Sequence, residues 1–135
     1  MTTFPLKIVT ADGLIYDGKA ERIVVRTTNG DICILANHMD CVAALGMGRA
    51  TLVDGSGFRR YAACIGGMLA VATGEVTLVP TTFEWADSID TARAQASQDR
   101  AEEVLKNKDS SATDIKLAQA RLHRALVRKS VASFK

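Results

Sequence analysis

Between residues 89 and about 107 the chain has neither glycine nor proline, whereas glycine turns interrupt it repeatedly upstream of Pro80. This division constrains the fold more than any other feature. Apolar residues at period two do not form the stripe of a helix, and a long alanine-rich stretch without breakers does not form short strands. In the stretch AERIVVRT, Ile23, Val25 and Thr27 share one side of an extended chain, and Arg22, Val24 and Arg26 share the other. Asn29-Gly30 reads as a turn, and DICILA is the next apolar run. VDGSG (53–57) and ATGE (72–75) punctuate later runs. The long run RYAACIGGMLAVA contains Gly66-Gly67, a signal for a bulge or for close backbone approach by a partner. Mixed β then α is therefore the expected class: a β-sandwich or flattened barrel of about ten strands over residues 1–84, then helices.

Residues 85–135 read as an antiparallel two-helix hairpin. The first helix begins near Ile89, with Asp87, Ser88 or Asp90 as its cap. NKDSSATD (107–114) reads as the turn, and Thr113 or Asp114 as the cap of a second helix that runs to about residue 131. The expected seam uses Ile89, Ala92, Ala96, Val104 and Leu105 against Ile115, Ala118, Leu122, Ala125 and Leu126. Alanine favours helix strongly but buries little area, so at about 25 cal/mol per Å² the helices form well and hold each other weakly. Such an element can separate and find another surface.

Apolar residues make up 47% of the chain, enough for a core. A formal charge of +2 and 5% aromatic residues disfavour a nucleic-acid surface built on stacking. A small nucleic-acid-binding barrel with a basic helical arm is nevertheless the alternative class, and a salt-dependent gel shift distinguishes it. No apolar run approaches the roughly 20 residues of a membrane span, and the first residues lack the pattern of a signal peptide. The three cysteines, Cys33, Cys41 and Cys64, form no C-x-x-C pair and read as small buried hydrophobes in a reducing cytosol. His38 and His123 have no second ligand at metal-binding spacing, so no metal is expected. There is neither a phosphate-cradling G-x-x-x-x-G-K-[ST] loop nor a nucleophile elbow, and the chain is expected not to be an enzyme by itself.

The arginines leave two readings. Arg93 and Arg100, seven apart, share a face of the first helix, and Arg121, Arg124 and Arg128 form a stripe on the second. They make either a solvated basic face balanced by Glu102, Glu103 and Asp114, or a cationic cleft for phosphate oxygens, with Asp90 as an added acceptor.

Four stretches, taken in order, resemble the epsilon subunit of F-type ATP synthases: GDICILANH (30–38), IGGMLAVATGEVTLV (65–79), IDTARAQASQDRAEEVL (89–105) and DIKLAQARLHRALVRKSV (114–131). The resemblance spans essentially the whole chain. It implies a non-catalytic rotor subunit whose strand domain binds the gamma subunit and the proton-carrying c-ring. It also implies a regulatory hairpin that, when extended, reaches the catalytic alpha and beta subunits and blocks ATP hydrolysis. Some bacterial members hold the folded form with ATP through an I/L-D-x-x-R-A motif, matched here by Ile89, Asp90, Arg93 and Ala94. Glu84, Arg100, Arg124 and Arg128 match further positions of that ATP site. Asp31 and His38 are the implied c-ring contacts, and Gly66 and Gly67 the implied gamma contacts. The implied location is peripheral, on the cytoplasmic face of a bacterial cell membrane without direct insertion. The loop departs from the family pattern: Cys33 stands where glycine is usual, Ala36 where proline is usual, and Met39-Asp40 where alanine-proline is usual. Ile65 replaces the commoner serine before the glycine pair.

Overall fold

The computed structural model describes residues 2–134. Seven strands come first: β1 (Phe4–Thr10), β2 (Gly13–Thr27), β3 (Gly30–Ile34), β4 (Cys41–Ala44), β5 (Met47–Asp54), β6 (Arg59–Ala72) and β7 (Glu75–Trp85). A single 3₁₀ turn, Ala86–Ser88, leads to α1 (Thr91–Lys106) and α2 (Ala112–Ala132). The strands hydrogen-bond in the order β1-β7-β6-β5-β2-β3, with β4 added on β6. β1 pairs antiparallel with β2 and parallel with β7, so the sheet returns on itself as a flattened barrel. Leu6, Ile8, Ile23, Val25, Leu52, Leu69 and Leu78 fill the space between its walls.

The strands number seven rather than about ten because long strands serve both walls. β2 has 15 residues and β6 has 14. In β6 the core side chains are Ala62 and Cys64 before the glycine pair, and Leu69 and Val71 after it. That change of parity means the pleat turns over at Gly66 and Gly67, whose φ values are +68° and +102°. β7 turns over alongside, from Val76 and Leu78 to Phe83, with Gly67 paired to Pro80 and Met68 to Val79. A Cβ on Gly67 would lie 2.6 Å from Pro80 Cα, and closer still to the Val79 carbonyl oxygen. The close approach signalled by the glycine pair is thus made by β7 of the same chain. β2 has its own register shift, between Ala20 and Arg22, and its buried set moves from Ala20 to Ile23 and Val25.

Asp90 is the cap of α1, its Oδ1 accepting the Arg93 amide at 3.0 Å. The cap of α2 is Ser111, not Thr113 or Asp114. Its hydroxyl accepts the Asp114 amide at 3.0 Å, and the Asp114 carboxylate accepts the Ser111 amide at 3.3 Å. This reciprocal box satisfies two amides at once, so it starts the helix earlier than either single cap would.

The hairpin seam differs in detail from the expected stripes. Ala94 and Ala101 of α1, and Ala118 and Ala125 of α2, are the fully buried residues between the helices. Each pair is seven residues apart, two helical turns on one face. Ala92 and Ala96 face solvent, as do Ile115 and Leu126, the latter 45% exposed. Val104, Leu105 and Leu122 flank the seam half-buried. The smallest side chains occupy the line of closest approach, and the larger ones are displaced to its margins. Among the described residues no helix is long and apolar enough to cross a membrane.

Of the three cysteines only Cys64 is buried. Cys41 is half-buried, and Cys33 is exposed on the outer side of β3, against expectation. β3 ends the strand order with one face turned to water, so alternate residues of an apolar run there need not be covered. Burial pushes the Cys64 thiol up to about 12.

Three outcomes follow from this packing. Gly67→Ala should destabilise the sandwich by roughly 3 kcal/mol in denaturant unfolding, through overpacking against β7 and a disfavoured φ. Ala101→Leu should cost the hairpin about 1–3 kcal/mol, seen as faster amide exchange in both helices with the β6 amides unchanged. At pH 8 a thiol titrating near 12 is thiolate in only about one molecule in ten thousand. Iodoacetamide should therefore label Cys33 in the native protein and Cys64 only on unfolding, as peptide mass mapping would read.

Candidate functional site

The pairing registers place one set of side chains on the outer face of β5–β7. Thr51 pairs with Tyr61, Arg49 with Ala63, and Ala63 in turn with Glu84. Paired residues point to the same side of a sheet, so Arg49, Thr51, Tyr61, Ala63 and Glu84 share a face. The alternate residues Ala50, Ala62 and Cys64 belong to the core. The last turns of α2 lie on this outer face. Val131 and Ala132 are buried there with Ala63, Ala86 and Ile89, and Tyr61 and Val127 pack around them. The hairpin is folded against the sandwich through α2, while α1 packs on α2.

Glu84 and Arg128, expected from resemblance alone to belong together, are in contact. Arg128 Nη2 bonds Glu84 Oε1 at 2.6 Å, with 24% and 28% of the two side chains exposed. The ion pair ties α2 directly to β7. Arg128 Nε is buried beside it without a hydrogen-bond partner. That leaves an unsatisfied donor, closed off from solvent, on a guanidinium whose other arm already holds a carboxylate.

The other candidates of the ATP set have separate positions. Ile89 is buried in the α2 contact, so its side chain packs rather than faces solvent. Asp90 is occupied as a helix cap, though a carboxylate has further acceptor capacity. Ala94 is fully buried in the seam, where a larger residue would separate the helices. Arg93 and Arg100 are exposed, about 10 Å apart along the helix axis. Arg124 is half-buried on α2, one turn before Arg128. Glu84, Ile89 and Arg128 therefore meet where the hairpin joins the sandwich, while Arg93 and Arg100 stand on solvent-facing ground.

Asp31 and His38 lie near opposite ends of β3. Asp31 accepts Arg26 Nε at 2.7 Å at the β2–β3 turn. His38 is in the loop after β3, with Nδ1 2.8 Å from the Met39 carbonyl oxygen. Asp40 receives the Thr73 amide at 2.9 Å, which ties that loop to the β6–β7 turn. Gly66 and Gly67 are half-buried at the turnover of the pleat. Just past them Met68 and Val79 pair outward, beside Val42 and Ala44 of β4, and form an uncovered apolar strip. Among the described residues no cluster of three metal-ligating side chains occurs.

Sequence reasoning missed several contributors. Lys129 Nζ donates to Gln98 Oε1 at 2.8 Å, and Gln98 Nε2 donates to Glu102 Oε1 at 2.7 Å, a polar link between the helices. Arg60 lies over the Trp85 ring at 3.6 Å, and Arg49 over the Phe134 ring at 4.3 Å. The Asp54 carboxyl, held below its usual range chiefly by the Ser56 hydroxyl, orders the β5–β6 turn beneath them. The Arg60–Trp85 contact depends on the strand register, and the Lys129–Gln98 and Arg49–Phe134 contacts depend on the packing of the helices, which sequence spacing does not mark.

Residues 3–86 match the family model described as the ATP synthase delta/epsilon chain beta-sandwich domain, and residues 87–133 match the long alpha-helix domain of the same chain. The ATP synthase epsilon chain of Bacillus velezensis is 42% identical over 132 residues, covering 98% of each chain. That of Clostridium novyi is 40% identical over 126 residues, covering 93% of this chain and 95% of its own. A chain in the Euglena gracilis mitochondrial ATP synthase structure, containing OSCP, F1 and the c-ring, has the same fold. Its TM-score is 0.83 at 19% identity, covering 100% of this chain and 83% of that one. The chain belongs to the delta/epsilon family of ATP synthases, as an epsilon chain, a non-catalytic subunit of that complex.

Proposed function

We propose that the chain is a central-stalk subunit whose strand domain couples gamma to the proton-carrying c-ring and whose hairpin restrains ATP hydrolysis when it extends. The observation that carries this reading is the attachment of the hairpin. It rests on the sandwich through one ion pair and the end of α2, and its helices meet along alanines. Little apolar area opposes its release, so a modest change in partner or ligand redirects it. On this reading the subunit sits peripherally on the cytoplasmic face of the cell membrane. The apolar strip of Val42, Met68 and Val79 beyond the glycine pair is suited to gamma, and on the same reading Asp31 and His38 are the candidate contacts to the c-ring.

ATP acts on this reading as a regulatory ligand of the folded form. It bridges Glu84, Arg124 and Arg128 on one side and Asp90, Arg93 and Arg100 on the other. A ligand spanning both helices binds only while they are together, and at a hundred times its dissociation constant it stabilises that state by about 2.7 kcal/mol. On extension the same arginines meet acidic loops of the catalytic alpha and beta subunits, so ATP and those subunits compete for one cationic set. The nucleic-acid alternative has less support, because Arg128 and Lys129 of the basic helix are already engaged by Glu84 and Gln98.

Co-purification tests the assembly role: the chain should elute with gamma and the catalytic head on size-exclusion chromatography, and failure to associate with either would remove the proposal. Calorimetry tests the ligand. Arg93→Ala and Arg128→Ala should each weaken ATP binding about tenfold or more, the loss expected for a charge-assisted bond, while association with gamma persists. Undiminished ATP affinity in both variants would remove the ligand role and leave the assembly role standing.

A further inference from the structure

Beyond α2 the chain turns back on the sandwich. The Phe134 amide donates to the Val131 carbonyl at 2.9 Å and the Ser133 hydroxyl to the Ser130 carbonyl at 2.6 Å, which tightens the last turn. Phe134 is thereby brought against Tyr61, with ring centroids 5.0 Å apart and planes inclined at 40°. The Arg49 guanidinium lies 4.3 Å from the Phe134 centroid and 5.5 Å from that of Tyr61. Among the described residues Arg49 makes no ion pair, so the two aromatic faces are its recorded partners. Phe134 also forms one wall of a cavity of about 120 Å³ whose other walls include Phe58, Arg60 and Trp85.

We propose that Phe134 is an aromatic latch: 39% exposed and packed against both Tyr61 and Arg49, its ring fastens the end of α2 to the strand domain and sets how readily the hairpin lifts. The inference rests on the reading of the hairpin as a mobile element. Because α1 packs on α2, the fastening of the whole hairpin passes through α2 and the residues just past it. Val131 and Ala132 supply small apolar contacts there, and Phe134 is the largest group the segment lays on the sheet. A guanidinium over a ring is attracted to the ring's π face, so an aliphatic residue of similar size does not replace it. Lifting Phe134 breaks an aromatic pair and a cation–π contact in one movement. The latch and the Glu84–Arg128 pair hold α2 from two sides of the same outer face.

Hydrogen exchange on the full chain tests this, with the β6 amides reporting that the sandwich is intact. Phe134→Ala should speed exchange in the last two turns of α2 about tenfold, the joint worth of an aromatic pair and an exposed cation–π contact. Phe134→Tyr should match the parent, and Phe134→Leu should exchange faster than Phe134→Tyr. Arg49→Ala should speed exchange in the parent and add nothing in the Phe134→Ala background. Parent-like exchange in Phe134→Ala, or equal exchange in the leucine and tyrosine variants, overturns the latch. Adenine nucleotide added to the parent separates the two ideas. If nucleotide slows α2 exchange while Phe134→Ala leaves it unchanged, the latch fails and ligand-controlled switching stands. If Phe134→Ala speeds exchange while nucleotide has no effect, the latch stands and ligand control fails.

Discussion

The turnover of the pleat at Gly66-Gly67, matched across the ladder at Pro80, is the constraint on which the molecule's surfaces depend. Before it, β6 and β7 direct Tyr61, Ala63 and Glu84 outward; after it, they direct Met68 and Val79 outward. One pair of strands therefore offers two outer faces of opposite parity. The first is covered by the chain's own α2. The second is left open and apolar, with Val42 of the neighbouring strand 70% exposed. A side chain at Gly67 would collide with β7 backbone, so neither face can be had without glycine at that position.

The two faces differ in chemistry as well as in parity. The covered one mixes small apolar residues with charges that are satisfied when α2 is present: Glu84 by Arg128, and Arg49 by two rings. On the open one Val42, Met68 and Val79 form an apolar strip, and Lys7, Glu75 and Thr77 lie further along the same outward side. A docked helix held by a few polar and aromatic contacts over small side chains is easily released, because little hydrophobic area is exposed when it leaves. A continuous apolar strip suits a partner that stays. On the proposed function, a releasable contact and a lasting one would lie along a single pair of strands.

Much of this was legible in the sequence, for physical reasons. Period-two runs broken by glycine, then a stretch without breakers, separate strand from helix because backbone geometry imposes those periods. The number of strands was not legible, since a glycine pair that inverts the pleat looks the same in sequence as one that makes a bulge. Nor was the seam. With alanines at 92, 94, 96 and 101, an alanine-rich helix has small residues on several faces, and only contact with a partner selects Ala94 and Ala101. The Ser111 box was hidden by neighbouring residues that also cap. Glu84 and Arg128, 44 positions apart, came from resemblance and not from spacing. The Arg49, Tyr61 and Phe134 cluster left no trace because it requires the β5–β6 register and the docked α2 together.

The parallel pairing of β1 with β7 matches Leu6 to Val76 and Ile8 to Leu78, partners 70 residues apart. During synthesis the first strand must wait for its neighbour, roughly 4 to 14 s at ordinary ribosomal speeds. Until then its apolar side has only β2 for cover, and chaperones have an interval in which to act. The helices emerge after the ring of strands has become able to close. In the nascent protein the hairpin is thus a late arrival, synthesised after every strand of the surface on which it rests.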